Sequence, residues 1–402
     1  MRYRGETMCI AILGAGVGGL STAIALKRKG FTVSVYERRD SGMDMGAGIV
    51  CWPNATFVLD ELGLLDDIVR VSGQPVAMRR LSCRGEALGT LDLSLLNQHM
   101  GHAGLSVLRR DLMAVLARHA HALAIELNYN HNVTGITALE QTGSRVEFGN
   151  GKRIQADVVI GADGRMNSHA RQFVLGDNRP VYQGFINWIG VFESEHAVFD
   201  ELAILDFWGI GERFGIVPLA RNRAYWAGAV AAETITANNP AGYKQELLAL
   251  FADWPDPISQ VIAQSRDNQI NKIYVHDHEP IENWHRNNVL LIGDAAHAPL
   301  PTSGQGACQA LEDAWHLANL LEQQGPDPQA VFDQFTRIRY DKTTAITLAA
   351  RQFAASLFNR DAEFCAQRNR NSRETDYDQV AKGMAKAWAA GLPVGQGVDS
   401  SP

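Results

Sequence analysis

Ile10-Ala11-Ile12-Leu13-Gly14-Ala15-Gly16-Val17-Gly18-Gly19-Leu20 is an apolar run that breaks into the spacing GxGxxG. The run predicts a buried parallel strand over 8–13, followed by a helix over 17–29 that Gly30 stops. Residues 31–36, Phe-Thr-Val-Ser-Val-Tyr, supply a second strand, so the stretch is one βαβ unit. Gly14 permits the tight strand-to-helix turn, Gly16 lets the backbone approach a pyrophosphate, and Gly19 lets helix and strand pack closely. Phosphates then rest on the helix N-terminus, where free N–H groups and the macrodipole favour anions. Glu37, at the end of the second strand, is placed to accept the ribose hydroxyls of a dinucleotide. GxGxxG alone is a weak signal. A strand before it, a helix behind it and an acid beyond make this one a nucleotide site.

Two further marks lie downstream. Asp157-Val158-Val159-Ile160-Gly161-Ala162-Asp163-Gly164-Arg165 is a strand ending in Gly-Ala-Asp-Gly, where Asp163 either fixes backbone around a cofactor or simply makes a good turn. Val289-Leu290-Leu291-Ile292-Gly293-Asp294-Ala295-Ala296-His297-Ala298-Pro299 returns to the buried-strand pattern, and Thr302-Ser303-Gly304-Gln305-Gly306-Ala307 leads into a long helix expected to begin near Gly304. Asp294 at a strand end suits the hydroxyls of a sugar or ribityl chain. The helix N-terminus beside it would stabilise negative charge on a reduced ring. Grips so far apart fit one long cofactor held at both ends, and FAD fits better than NAD.

The bulk properties bound the rest. The chain has 402 residues, 46% hydrophobic and 20% charged, enough for two or three packed units. No apolar stretch reaches the roughly 18 to 20 residues of a membrane span. Residues 1–7 lack an apolar segment behind their charges, so they read as a flexible extension, with Met8 a candidate working start. The five cysteines are widely spaced without C-x-x-C, which argues for reduced thiols in a cytoplasm and against a disulfide or zinc framework. A net charge of −7 without a basic block gives no reason to expect nucleic acid. His276-Asp277-His278-Glu279 look like metal ligands on paper, but strand alternation separates them, and no metal is expected.

The fold class read from these patterns is α/β: a Rossmann-like FAD-binding domain with an inserted antiparallel β-sheet substrate domain and C-terminal helices. The expected boundaries are 8–72, 100–178 and 283–325 for the FAD-binding domain, 73–99 and 179–282 for the sheet domain, and 326–390 for the helical region. The ends, 1–7 and 391–402, are expected to be flexible.

Together the GAGVGG stretch with Glu37, the GADG stretch and GDAAHAPLPTSGQGACQALEDA resemble the FAD-dependent aromatic hydroxylases, single-component flavoprotein monooxygenases typified by para-hydroxybenzoate, 3-hydroxybenzoate and salicylate hydroxylases. The resemblance runs from about Met8 to about Lys342. It implies that Gly14, Ala15, Gly16, Gly19, Glu37 and Arg38 hold the ADP half of FAD, that Arg109 meets the pyrophosphate, and that Val133 meets adenine. Val50 would pass the flavin, Asp294 would hold the ribityl chain, and Gly304, Gln305, Gly306, Ala307 and Cys308 would hold the ribityl chain and ring. Asp163 matches a motif serving both FAD and the nicotinamide donor. By the same resemblance, NAD(P)H reduces FAD, O2 adds as a C4a-hydroperoxide, and one oxygen passes to a small planar aromatic or N-heteroaromatic ring. The expected assembly is a monomer or homodimer.

Within the inserted sheet, Ile186-Asn187-Trp188, Glu212-Arg213-Phe214 and Ala224-Tyr225-Trp226 resemble the FAD-dependent urate hydroxylase branch. That implies Asn187, Arg213, Tyr225 and Pro299 as substrate contacts, with Arg213 and Tyr225 the candidate catalytic residues. One departure stands out. The branch places a carboxylate just after the proline that aligns with Pro301, to partner the arginine and support base catalysis, and this chain has Thr302, which cannot act as a base near neutral pH. Other outcomes on the same scaffold are urate-type purine oxidation, an FAD oxidoreductase such as a dehydrogenase, an epoxidase or a drug-inactivating oxygenase, and a further reading is a flavin-loaded sensor without turnover. The W-x-W-x-I-P signature of halogenases is absent. His297 reads as structural, and Trp208 as a candidate pocket wall.

Overall fold

The glycine-motif strand Cys9–Leu13 sits inside a six-stranded sheet whose order is Glu126–Asn128, Thr32–Tyr36, Cys9–Leu13, Val158–Gly161, Val289–Leu291 and His285–Arg286. The first five strands run parallel and the last antiparallel. The strands carrying the three sequence marks are therefore immediate neighbours. Val158–Gly161 and Val289–Leu291 are buried at every position, as expected where helices cover both faces of a parallel sheet. The computed structural model describes residues 2–3, 6–40, 47–139, 143–325 and 327–395.

Helix Val17–Arg28 follows the first mark and helix Gly306–Gln324 the last. They pack on each other through small residues: a Cβ at Gly18, or at Gly293, would lie 3.4 Å from that of Ala310. This close approach draws the two grips together. The second helix starts two residues later than expected, because Pro301–Ser303 form a 3-10 turn and Gly304 takes a left-handed φ of +62°.

The second sheet has seven strands, in the order Asn271–Asp277, Val181–Glu193, Arg223–Ala231, Glu212–Ala220, Ala203–Trp208, Ala77–Ser82 and Ala87–Asp92. One pair departs from the antiparallel expectation: Ala203–Trp208 runs parallel to Ala77–Ser82. Parallel neighbours need a crossover, and here the chain passes through the nucleotide domain between them. Alternation divides the sheet. Trp188, Phe192, Phe207, Phe214, Ile216 and Trp226 form a core shared with residues of helices Tyr243–Leu250 and Ile258–Gln264. The opposite face carries Phe185 and Trp208, which pack with residues of the long helix Pro328–Leu357.

Helices Pro328–Leu357, Ala362–Glu374 and Tyr377–Ala389 close the chain, each started by an aspartate side chain (Asp327, Asp361 and Asp376) that accepts a first-turn N–H. The flexible end expected from 391 is corrected in part: Leu392 and Val394 are buried in the main core, while residues 396–402 lie outside the described residues. At the other end, Arg2–Tyr3 pairs with Glu6–Thr7, and the other residues expected to be flexible there, 1, 4 and 5, are likewise outside the described residues. Among the described residues, no helix is long and apolar enough to cross a membrane.

Candidate active site

The nucleotide end is an open groove lined by Gly14, Gly16, Glu37, Arg38, Arg109, Val133, Asp163 and Gly164, with Tyr36 and His131 beside them. Gly14 has φ +107°, and a Cβ there would collide with the Ala162 carbonyl; a Cβ on Gly19 would collide with the Gly14 carbonyl. A Cβ on Gly16 would meet nothing, so that backbone opens onto the groove. The helix starting at Val17 has no side-chain cap and no acid in its first turn, which leaves N–H groups for an anion. Glu37 accepts from Ala15 N (2.8 Å) and Arg39 N (3.0 Å), so the carboxylate is fixed against the glycine turn. Tyr36 stacks on Phe148, and Val133 is buried in the same core. These features fit the ADP half of FAD. Asp163 lines the groove, but its carboxylate accepts from Ser168 Oγ (2.5 Å) and Ala170 N (3.1 Å), at the start of helix His169–Leu175. Burial pushes its pKa up, and those bonds pull it down. It shapes the turn.

Asp294 and 304–308 belong to the other end. Arg165 grips Asp294 through Nε (3.0 Å) and Nη2 (2.7 Å) and also bonds the His276 carbonyl. Burial raises the Asp294 carboxyl, but Arg165, followed by His297, outweighs it and holds the group below its ordinary range. Helix Gly306–Gln324 likewise begins without a side-chain cap or first-turn acid. Two buried donors beside this start, Trp52 Nε1 and Gln305 Nε2, have no hydrogen-bond partner, and a Cβ on Gly304 would stand 3.0 Å from Trp52 Nε1. Unpaired buried donors at an uncapped helix start fit the polar edge of a flavin ring. Cys308 points inward, its thiol 3.4 Å from the Val50 carbonyl, so its side chain braces the strand Gly48–Cys51.

Behind this end lies a charge network whose Glu312, Asp313 and Arg339 are fully buried. Arg339 bonds Asp313 (2.7 Å) and Glu312 (2.5 Å); Lys342 bonds Glu312 (2.8 Å); Asp313 also accepts from Gly293 N and contacts His297 Nε2, both at 2.8 Å. Asn54 Nδ2 reaches both Glu312 and Gln305. Burial opposes ionisation of Asp313, yet His297 and Arg339 hold its pKa far below the carboxylate range. His297 thus ties the Gly293 turn to the helix.

The second sheet supplies the third wall. Directly opposed residues, and residues two apart on one strand, share a face. Asn187, Ala229, Arg213 and Trp208 form one row across four strands, and Ile189, Ala227, Gly215 and Asp206 the next. Tyr225, two pairs further along, is on the same face, its ring against the Gly48 backbone. The centre is small (Gly215, Ala227, Ala229) and the rim polar. Among the described residues the Asn187 amide, the Tyr225 hydroxyl and both terminal nitrogens of Arg213 make no hydrogen bond to protein. Burial, then Cys51 and Cys308, push the Tyr225 pKa up, while Arg213 lowers it, so this phenol stands between the sheet and the Val50–Cys308 contact. Pro299 is buried near Gly306. Thr302 Oγ1 donates to the Ala350 carbonyl (3.0 Å), tying its loop to the long helix.

Arg165, Asp206, Trp52 and Arg339 were not anticipated from sequence. Asp206 had a signal: a carboxylate inside the apolar run Ala203-Ile204-Leu205-Asp206-Phe207-Trp208. The paper metal cluster is dispersed. His276 Nδ1 contacts the Tyr274 carbonyl, Asp277 and Glu279 pair with Arg351, and His278 Nε2 contacts the Arg165 carbonyl.

A sheet with two glycine grips, joined to a second sheet with a polar-rimmed hollow, is the architecture of a flavoprotein monooxygenase. The chain belongs to the FAD binding domain family, which it matches over residues 7–349. It is 30% identical over 391 residues to the FAD-dependent urate hydroxylase of Klebsiella pneumoniae, covering 96% of this chain and 99% of that protein. It is 32% identical over 325 residues to the aurachin C monooxygenase/isomerase of Stigmatella aurantiaca, covering 81% and 83%. The crystal structure of Klebsiella pneumoniae HpxO complexed with FAD and uric acid superposes with a TM-score of 0.87 at 29% identity, covering 96% of this chain and 97% of that one. The chain is an FAD-dependent monooxygenase of the aromatic hydroxylase type.

Proposed function

We propose that the enzyme uses NAD(P)H and O2 to hydroxylate a small planar aromatic or N-heteroaromatic ring that lies on the second sheet. The observation that carries this reading is a set of polar groups, the Asn187 amide, the terminal nitrogens of Arg213 and the Tyr225 hydroxyl, that make no hydrogen bond among the described residues and surround the floor of Gly215, Ala227 and Ala229. A flat ring fits over small residues, and rim donors fix its rotation. Bound FAD supplies the redox chemistry that activates O2, with Gly14, Ala15, Gly16, Gly19, Glu37, Arg38, Arg109 and Val133 at its ADP half and Val50, Asp294 and 304–308 at its other end. Arg213 and Tyr225 donate to the ring's polar edge, Asn187 orients it, and Pro299 walls it off from water. Urate, the substrate in the name of the Klebsiella relative, is disfavoured here by Thr302, whose hydroxyl is engaged by Ala350.

The test is a panel of aromatic acids, phenols and purines scored for stimulated NAD(P)H oxidation, O2 uptake and oxygenated product. At least one ring is expected to give product in step with NAD(P)H. Oxidised product without oxygen from O2 would reject hydroxylation.

A further inference from the structure

Arg213 lacks the loop carboxylate that its resemblance leads one to expect, yet it has a counter-ion. Its Nε donates to Asp206 Oδ1 at 2.6 Å, from the same face of the neighbouring strand. The Asp206 side chain is 3% exposed and that of Arg213 25%. The second oxygen, Oδ2, accepts from Trp208 Nε1 at 2.9 Å. Two cations lie over the Trp208 indole in turn: the Arg80 guanidinium is 5.2 Å from its ring centroid and that of Arg368 5.3 Å. Arg80 sits opposite Asp206 in the sheet and bonds Tyr377 Oη, and Arg368 bonds the Gly209 carbonyl. Each oxygen of the carboxylate is therefore engaged by a protein donor. Asp277, the other buried acid on this face, is held by Arg351 through both oxygens, and Glu193 at the far edge by Arg110 and Arg223. Among the described residues Asp206 is ion-paired with Arg213 alone, while Arg80 and Arg368 form no ion pair, so positive charge exceeds negative around Trp208 and the three carboxylates of this face are each engaged by arginine.

We infer that Asp206 is a positioning residue that aims the terminal nitrogens of Arg213, and that the site takes aromatic substrates already anionic in solution. This rests on the reading of the second-sheet hollow as the substrate site. Binding is read from perturbation of the bound flavin spectrum in the FAD-loaded enzyme, using salicylate, its neutral counterpart salicylamide, and urate as probes. The unmodified enzyme is expected to bind salicylate at least tenfold more tightly than salicylamide. Asp206→Asn keeps the shape and an acceptor for Trp208 but loses the grip on Arg213; it should retain flavin, weaken salicylate binding at least tenfold, and raise KM for a turned-over ring more than it lowers kcat. Trp208→Phe, which keeps the stack and removes the N–H, should shift the same constants in the same direction by less, and it serves if Asp206→Asn does not fold. Unchanged or tighter salicylate binding in either variant overturns the positioning role, because a mere counter-ion would strengthen anion binding when removed. Equal binding of salicylate and salicylamide by the unmodified enzyme overturns the anion preference while leaving hydroxylation intact. No binding of any probe overturns the inference, and absence of oxygenated product across the wider panel overturns the hydroxylase reading itself.

Discussion

Glu37, proposed to meet the cofactor, and Arg213, proposed to meet the substrate, are each held by hydrogen bonds to protein. Glu37 is held by two backbone N–H groups, so its remaining lone pairs are aimed before any ribose arrives. Replacing Glu37 with Ala removes charged hydrogen bonds worth about 1.5–3 kcal/mol, so FAD should bind roughly ten- to a hundredfold more weakly. Fluorescence titration of the apoprotein measures this, and undiminished affinity would contradict the assignment. Arg213→Ala should leave the yellow colour intact and raise KM, or uncouple NAD(P)H oxidation from product formation. Normal coupled turnover would remove Arg213 from the pocket. The two assignments have different origins. Glu37 belongs to a local motif, where spacing alone fixes geometry. The role of Arg213 came from resemblance; Asp206 stood out as an acid in an apolar run, but its pairing with Arg213 was not legible because their contact depends on strand register across a hairpin.

At the level of elements, the helix Gly306–Gln324 and the long helix Pro328–Leu357 are locked by Arg339 between Glu312 and Asp313. Removing one member of a buried ion network leaves the others desolvated and unpaired, at a cost of about 3–5 kcal/mol. Arg339→Met should therefore lose stability of that order in urea unfolding. It should also loosen FAD, because Asp313 holds the Gly293 amide. A loss below about 1 kcal/mol would contradict the lock. The parallel strand–helix units were legible because their apolar runs and glycine punctuation are local. The network was not, since Glu312 and Arg339 read simply as charged helix positions until packing buries them against each other. The parallel pairing of 77–82 with 203–208 was hidden for a similar reason: two short strands separated by most of a domain carry no joint signal.

For the whole molecule, pH reports how tightly the helical tail closes on the nucleotide domain. His316 is buried, with Nε2 unpaired and near Gly391, and burial, then Arg339, lowers its pKa to about 3. Below its ordinary value of 6.5 the unfolded chain takes up this proton and the folded chain does not, so stability falls as pH drops from about 6.5 towards 3. His316→Gln should flatten that slope in urea midpoints measured across the range, and an unchanged slope would contradict a closed environment. The central claim joins the two sheets: one grips FAD, and the other presents a ring to it. Its most direct test is turnover under labelled O2, with NAD(P)H and the most stimulating ring of the panel. The account predicts FAD-dependent product carrying one labelled oxygen atom on the ring. Oxidised but unlabelled product, or no product from any ring despite bound FAD, would contradict it.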